Sequence, residues 1–165
     1  MQKVNRLQGK LWSVFFLLIG LIILVVDQFS KAWIRANLLE GQSLFKLGFF
    51  RITYVHNTGA AFGLFQDQSF ILTIVAIVAI SVILVYALFI SRSFPWLEGK
   101  LSKSALGLLL GGTVGNLIDR LRLGYVTDFI DFSYWPAFNL ADASVTVGVI
   151  LFAYSLLRSA QVEKH

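Results

Sequence analysis

The sequence contains no cysteine and only two histidines, His56 and His165. Without cysteine the chain can form no disulfide, thiolate nucleophile or zinc–sulfur site. Two histidines, one of them terminal, also disfavour a metal site built from several imidazoles. Any chemistry that the chain performs must therefore rest on other polar side chains.

Charge is scarce as well. Charged residues make up 14% of the 165 residues, whereas a soluble domain has about 25%. Hydrophobic residues make up 57%, whereas a soluble domain has about 45–50%. This excludes a soluble globular domain. Because no long linker, repeat or low-complexity tract divides the chain, we predict one domain over residues 1–165. The net charge of +5 comes from basic residues between apolar runs, which indicates membrane topology rather than nucleic-acid binding.

Four runs without charge predict an α-helical membrane protein with four transmembrane helices. The runs hold 16, 24, 14 and 15 residues and cover 11–26, 68–91, 105–118 and 143–157. Crossing a bilayer takes roughly 20 helical residues, so each short run must extend into polar flanks. The predicted spans are about 11–31, 69–90, 101–118 and 142–158, with loops at about 32–68 and 119–141. Within the first loop, residues 43–54 favour one or two short strands or an interfacial segment.

The distribution of Lys and Arg predicts the orientation. Residues 1–10, 91–103 and 158–165 carry 8 of them in 31 positions, whereas residues 27–68 and 119–142 carry 6 in 66. Basic density marks the cytoplasmic side, so we expect both termini there and both long loops outside. Seven of the nine acids lie on the loop side. The chemistry is therefore expected at the extracytoplasmic face.

Four acids lie in or beside the second loop: Asp119, Asp128, Asp131 and Asp142. An ionised group costs about 2.5–3.5 kcal/mol at mid-membrane and less near the interface, so such groups must pair or do chemistry. Hydrolysis without cysteine, a plausible metal site or a Ser–His pair leaves carboxylates. Two close carboxyl groups share one proton, so one can take a proton from water while the other donates to a carbonyl.

Two of these acids are the better candidates. Asp142 opens the fourth helix with Asn139 as its predicted N-cap, where the helix end favours negative charge. Asp128 lies in the apolar stretch YVTDFIDF without a basic neighbour, which leaves it free for chemistry. Asp131, three residues further on, remains a rival on the sequence alone.

The other charged pairs have structural interpretations. Asp27 and Lys31 are four residues apart on one helix face, in the favourable acid-to-base order. Asp119 is followed directly by Arg120, so ion pairing is its expected role.

Amides and glycines near the span ends also have structural interpretations. Asn57 and Asn116 are expected to tie loops to helix ends. The stripe of Gly107, Gly111 and Gly115 predicts close approach of a neighbouring helix.

Five blocks of sequence resemble those of lipoprotein signal peptidase, also called signal peptidase II. They are DQFSK (27–31), NTGAAFG (57–63), GNLIDR (115–120), VTDFIDF (126–132) and FNLADASVTVG (138–148). The blocks occur in the family's order and cover nearly the whole chain. The resemblance implies a bacterial membrane aspartyl endopeptidase that removes signal peptides from prolipoproteins. Cleavage falls just before a cysteine that already carries diacylglycerol.

The resemblance also assigns residues. The family's catalytic pair falls on Asp128 and Asp142, which agrees with the choice made above and makes Asp131 secondary. The positions implied as supports or substrate contacts are Asp27, Lys31, Asn57, Gly59, Asn116, Asp119, Arg120 and Asn139.

The same resemblance implies a fold and a set of partners. The four spans are joined by a small extracytoplasmic β-cradle and a short interfacial helix, which fit residues 43–68. The protein is expected in the bacterial inner membrane as a monomer, with no cofactor, no metal and no nucleic acid. Its partners are diacylglyceryl-modified prolipoproteins and membrane lipids, and its implied inhibitors are globomycin-type cyclic peptides.

Two other classes compete with a peptidase. A small proton- or ion-coupled transporter also carries acids in its spans, but it predicts acids spread through the membrane depth. A non-enzymatic assembly or lipid-binding protein predicts that the outer acids are dispensable.

Overall fold

The computed structural model describes residues 2–59, 65–89 and 99–162. Eight elements follow one another along this part of the chain: α1 (Gln2–Asn37), β1 (Ser43–Leu47), β2 (Phe50–Asn57), α2 (Ser69–Leu88), α3 (Lys100–Leu123), β3 (Val126–Phe132), β4 (Trp135–Phe138) and α4 (Leu140–Val162). All four helices are long and apolar enough to cross a membrane, which confirms the predicted fold class. Helices α1, α3 and α4 extend past their uncharged runs because helical hydrogen bonding continues into the polar flanks, whereas α2 lies within its run.

The helices pack around α3, which contacts α1, α2 and α4. The predicted glycine stripe makes this possible. A Cβ added at Gly107 would lie 2.8 Å from Ile19 Cβ, and one added at Gly111 would lie 2.8 Å from Ile23 Cβ. At these positions α3 therefore packs directly on the backbone and side chains of α1, as the stripe predicts.

The strands form one antiparallel sheet in the order β1-β2-β3-β4. β1 and β2 confirm the strands predicted within residues 43–54. The other two strands come from the second loop, so the location of the whole cradle within residues 43–68 is wrong. VTDFIDF pairs with β2 because its β-branched and aromatic residues suit a strand.

The implied short interfacial helix falls on a stretch whose residues 60–64 lie outside the described part, as do residues 60–63 of the NTGAAFG block.

The sheet is joined to the helices by an apolar cluster. Ile34 and Leu38 at the end of α1 pack with Tyr54 of β2 and Phe129 of β3. This cluster, in which Leu140 of α4 also takes part, and the contact of β3 with α3 place the sheet over the ends of these helices, where the polar residues gather.

Candidate active site

Asp128 and Asp142 meet at the junction of the sheet and the helices. The side-chain amide of Asn139 donates to Asp128 Oδ1 at 2.7 Å. The backbone N–H of the same residue donates to Asp142 Oδ2 at 3.2 Å. One asparagine therefore holds both carboxylates in a single site.

The local sequence explains this arrangement. β4 ends at Phe138 and α4 begins at Leu140, so only Asn139 separates the sheet from the helix. The backbone N–H of Asp142 donates to Asn139 Oδ1 at 3.0 Å, and Asp142 accepts from the N–H of Asn139 in return. This reciprocal pair is a capping box, and it confirms the predicted N-cap.

Two further amides complete the surroundings of the carboxylates. Asn57 Nδ2 donates to Asp128 Oδ2 at 2.8 Å, and Asn116 Nδ2 donates to Asp142 Oδ1 at 2.7 Å. Each of the four carboxylate oxygens thus accepts one hydrogen bond. The residue patterns suggested that Asn57 and Asn116 tie loops to helix ends, and the family resemblance gave both as supports or substrate contacts; in the structure both contact the acid pair directly.

The environment of Asp128 changes its acidity. Its side chain is 1% exposed. Burial is the first cause that raises the pKa of Asp128, the negative charge of Asp142 is the second, and together they bring it to about 7. Hydrogen bonds from Asn57 and Asn139 and the charge of Lys31 oppose the rise. A carboxyl group that exchanges its proton near neutral pH suits acid–base chemistry.

A second network lies directly beneath the pair. Lys31 forms the predicted salt bridge with Asp27 at 2.9 Å, and both side chains are fully buried. Lys31 Nζ also donates to Asn116 Oδ1 at 2.8 Å and lies 3.5 Å from Asp119 Oδ2. Asp27 Oδ1 accepts from the N–H of Ala141 at 3.0 Å, which places a negative charge at the N-terminus of α4.

Asp119 pairs across helices and not with its neighbour Arg120. Its carboxylate lies 3.4 Å from Arg35 Nη1, 3.5 Å from Lys31 Nζ, and accepts from the N–H of Thr127 at 2.9 Å. Consecutive helical residues point about 100° apart, so Asp119 faces α1 while Arg120 faces elsewhere. Ion pairing was predicted correctly, but the partner was wrong.

Asp131 lies apart from the acid pair. It is the cross-strand partner of Arg51, and the two side chains form an ion pair at 2.5 Å. Residues three apart in a strand point to opposite faces, which separates Asp131 from Asp128. Asp131, the alternative to Asp128 in the sequence analysis, is therefore an ion-paired residue of the sheet.

Three residues of this network were missed from the sequence: Gln28, Arg35 and Thr127. Gln28 Nε2 donates to the carbonyl of Gly115 at 3.0 Å, and Arg35 Nη1 donates to Thr127 Oγ1 at 2.9 Å. The sequence contained a sign of the role of Arg35, because this residue follows Lys31 by four positions and so lies on the same helix face. Thr127 had none, because its role depends on how β3 packs against α1.

A cavity of about 660 Å³ opens beside the pair, between α2, α3, α4 and β4. Its polar wall is formed by Asn57, Gly59, Asn116, Arg120 and Asp142. The rest of its lining is mostly apolar and includes Leu72, Val75, Ala76, Ala79, Val145, Val147, Trp135 and Phe138. Such a cavity can hold an apolar chain with one polar group against the carboxylate of Asp142.

Arg120 has unused hydrogen-bonding capacity at this wall. Its Nη2 donates to the carbonyl of Gly59 at 3.4 Å. Its Nε is buried and has no partner among the described residues. A guanidinium group in this state can take up a carbonyl or other acceptor of a ligand.

The sequence and the fold match known proteins. Residues 19–158 match the family profile described as Signal peptidase (SPase) II. A lipoprotein signal peptidase from Moorella thermoacetica is 44% identical over 146 residues, covering 88% of this chain and 94% of that protein. One from Dehalococcoides mccartyi is 52% identical over 128 residues, covering 77% and 79%.

The fold has a solved counterpart, a bacterial membrane enzyme determined by the in meso method at 2.3 Å resolution. It is 30% identical, with a TM-score of 0.79 over 88% of this chain and 89% of that chain. The chain therefore belongs to the signal peptidase II family, a family of multi-pass bacterial membrane peptidases that process lipoproteins.

Proposed function

We propose that this protein is an aspartyl endopeptidase that cleaves diacylglyceryl-modified prolipoproteins just before the lipidated cysteine. Asp128 and Asp142 activate the water. The observation that carries the proposal is that one residue, Asn139, hydrogen-bonds both carboxylates, and that one of the two acids, Asp142, lines an apolar cavity.

The reaction begins with one proton on the pair. The ionised carboxylate removes a proton from water while the oxygen of that water attacks the carbonyl carbon of the scissile peptide. The protonated carboxyl group donates its proton to the carbonyl oxygen, which gives a tetrahedral diol. Because the two groups titrate together, acid and base are roles of the pair rather than of either residue.

The second step restores the pair. The diol collapses, the C–N bond breaks, and the leaving amine takes a proton from the carboxyl group that received one from water. The second diol hydroxyl returns its proton to the pair. The products are a signal peptide with a new carboxylate and a lipoprotein with a free amino group on its lipidated cysteine.

The cavity suits such a substrate. The signal peptide and the acyl chains on the cysteine that follows it are apolar, and most residues of α2 and α4 that line the cavity are apolar too. Entry from the lipid between these helices brings the scissile bond to the polar wall. There Arg120 is placed to donate to a substrate carbonyl, and Gly59 leaves room for the substrate backbone.

The remaining features of the proposal follow from charge and from the family. We expect the acid pair at the extracytoplasmic face and both termini in the cytoplasm, since basic residues concentrate at the opposite ends of the helices. We expect a monomer in the inner membrane that needs lipid but no metal. Globomycin-type cyclic peptides are expected to compete for the same cavity.

A gel-shift cleavage assay on a diacylglyceryl-modified prolipoprotein tests the proposal. Asp128→Asn and Asp142→Asn should each lower turnover by roughly 10²- to 10⁴-fold or more, because general acid–base catalysis contributes that much. Both variants should still bind the substrate.

The matched control is Asp131→Asn, which removes a carboxylate from the same strand but not from the pair. It should retain turnover, and a chelator should leave the wild type active. Full cleavage by Asp128→Asn would remove the catalytic assignment and favour the transporter or scaffold alternatives.

A further inference from the structure

The three asparagines around the acid pair are held in one orientation. An asparagine amide presents an acceptor on one side and donors on the other. Asn57 Oδ1 accepts from the N–H of Gly59 at 3.0 Å, and Asn139 Oδ1 accepts from the N–H of Asp142 at 3.0 Å. A backbone N–H can only donate, so each Nδ2 must point to the carboxylate.

The third amide is fixed differently. Asn116 Oδ1 accepts from Lys31 Nζ at 2.8 Å and from Asn139 Nδ2 at 3.2 Å. If Asn116 were turned by 180°, its Nδ2 would face two groups that only donate here. Its oxygen would then face the oxygen of Asp142, which accepts. The turned state is therefore unfavourable, mainly because the ammonium group of Lys31 on α1 can only donate.

This inference rests on the proposed function. We infer that Lys31 is a positioning residue for the hydrolysis: it fixes the amide of Asn116 so that Nδ2 donates to Asp142. Lys31 does not touch the carboxylates of the pair in any described hydrogen bond or ion pair. It acts through Asn116.

A purely structural role also fits some of these contacts. Lys31 neutralises Asp27 at 2.9 Å and Asp119 at 3.5 Å, and loss of that neutralisation would lower the stability of the fold. A structural role predicts no coupling between Lys31 and Asn116 in the chemical step. The positioning role predicts that the two residues act as a unit.

The experiment uses an Asp27→Asn background. The background removes one partner of a buried ion pair and leaves Lys31 with Asp119 at 3.5 Å, so its melting temperature is measured first; Lys31→Met then replaces the second partner as well, which is often tolerated. In this background Asp119 keeps Arg35 and the N–H of Thr127. We compare Lys31→Met, Asn116→Ala and both together, and measure folding by thermal melting in detergent.

Each single change should lower kcat on the lipidated prolipoprotein by roughly 10- to 100-fold, the size of a lost hydrogen bond to a charged group. KM should change little. Combining the two changes should cost nothing further, because both remove the same hydrogen bond to Asp142. The inference would be overturned if the two losses of kcat multiplied in the double variant. It would also be overturned if Lys31→Met left kcat undiminished.

The pH dependence of kcat gives a second readout. The charge of Lys31 lowers the pKa of Asp128, so Lys31→Met should move the loss of activity to higher pH than in the Asp27→Asn background. The other charged groups that act on the pair are Arg120 of α3 and Asp27 of α1. Arg120 is the same with and without Lys31→Met, and Asp27 is replaced by asparagine in both cases. An unchanged pH profile contradicts the inference.

Arg35→Gln is the matched control, since Arg35 also pairs with Asp119 but has no described contact with Asn116. The effects of Arg35→Gln and Asn116→Ala on the activation free energy of the reaction should add, so the two losses of kcat should multiply. If Lys31→Met does not fold, Lys31→Arg and Lys31→Gln replace it. Arginine only donates and should restore most of kcat, whereas glutamine lets the Asn116 amide turn and should not. The reverse order overturns the inference.

The inference and the proposed function fail separately. Cleavage by Asp128→Asn removes the proposed function, whatever Lys31 does. An inactive Asp128→Asn variant with independent effects of Lys31 and Asn116 removes the positioning role alone.

Discussion

Asp128 and Asp131 show at the scale of single residues how surroundings separate two like side chains. Asp131 forms an ion pair with the guanidinium of Arg51, which occupies its carboxylate in the sheet. Asp128 meets amides and the charge of a second acid, Asp142, and it is almost fully buried. These surroundings favour a carboxyl group at Asp128 that exchanges a proton.

The pH dependence of turnover follows from the pKa of Asp128. Burial and the charge of Asp142 raise it to about 7. Turnover requires one proton on the pair, so activity should fall as the pH rises through about 7 and both groups ionise. The fall should approach tenfold per pH unit. We expect this in kcat on a lipidated prolipoprotein, and a flat profile between about pH 6 and about pH 9 would contradict it.

At the scale of elements, α3 is the helix on which the others pack. Gly107, Gly111 and Gly115 face α1, and a Cβ at Gly111 would also meet the carbonyl oxygen of Gly20. The two backbones can approach this closely only because neither position carries a side chain.

Gly111→Ala should therefore lower the stability of the protein in detergent by about 1–3 kcal/mol, the usual cost of overpacking. Thermal melting measures this. Gly99→Ala is the control, because a Cβ added at Gly99 meets no atom of the described residues within 4 Å. Equal melting temperatures for the two variants would show that the α1–α3 contact is looser than described.

The start of α4 is the second element on which the site depends. The cap of this helix is also the bridge between the carboxylates, since Asn139 Oδ1 accepts from Asp142 N–H while its Nδ2 donates to Asp128. A change at this position should act on stability and on turnover together.

Asn139→Ala should cost about 0.5–2 kcal/mol of stability as a lost N-cap, and it should also lower kcat. The control is Gln68→Ala at the N-cap of α2, where the side chain makes no capping hydrogen bond. That variant should match the wild type in melting temperature. If Asn139→Ala loses stability but keeps full turnover, the bridge is dispensable for the reaction.

At the scale of the whole molecule, the acids among the described residues gather at one end of the helical bundle. The sheet covers this end, and the cavity opens beneath it. A transporter that moves ions across the membrane needs polar groups through its depth, whereas this arrangement suits a reaction at one membrane surface.

The absence of cysteine makes the orientation simple to test. Tyr134→Cys lies in the turn between β3 and β4, where the native side chain is 93% exposed. Gln161→Cys lies at the exposed end of α4. In spheroplasts a membrane-impermeant maleimide should label the first variant and leave the second unlabelled until the membrane is broken. The opposite pattern would place the acid pair in the cytoplasm.

The sequence by itself determined the features that are local or additive. Apolar runs indicated four helices because hydropathy sums along the chain. The i, i+4 spacing determined the Asp27–Lys31 pair, and Asn139 marked the start of α4 because an N-cap acts within three residues. The order of the five blocks identified the family.

Only the tertiary structure decided which distant groups meet. Asp119 pairs with Lys31 and Arg35, and not with Arg120, because of how α1 packs on α3. Asn57 reached Asp128, and β3 joined the sheet, because of the strand register. The orientation of Asn116 depends on an ammonium group from another helix. Such contacts join residues far apart in sequence, and no local pattern encodes the packing that brings them together.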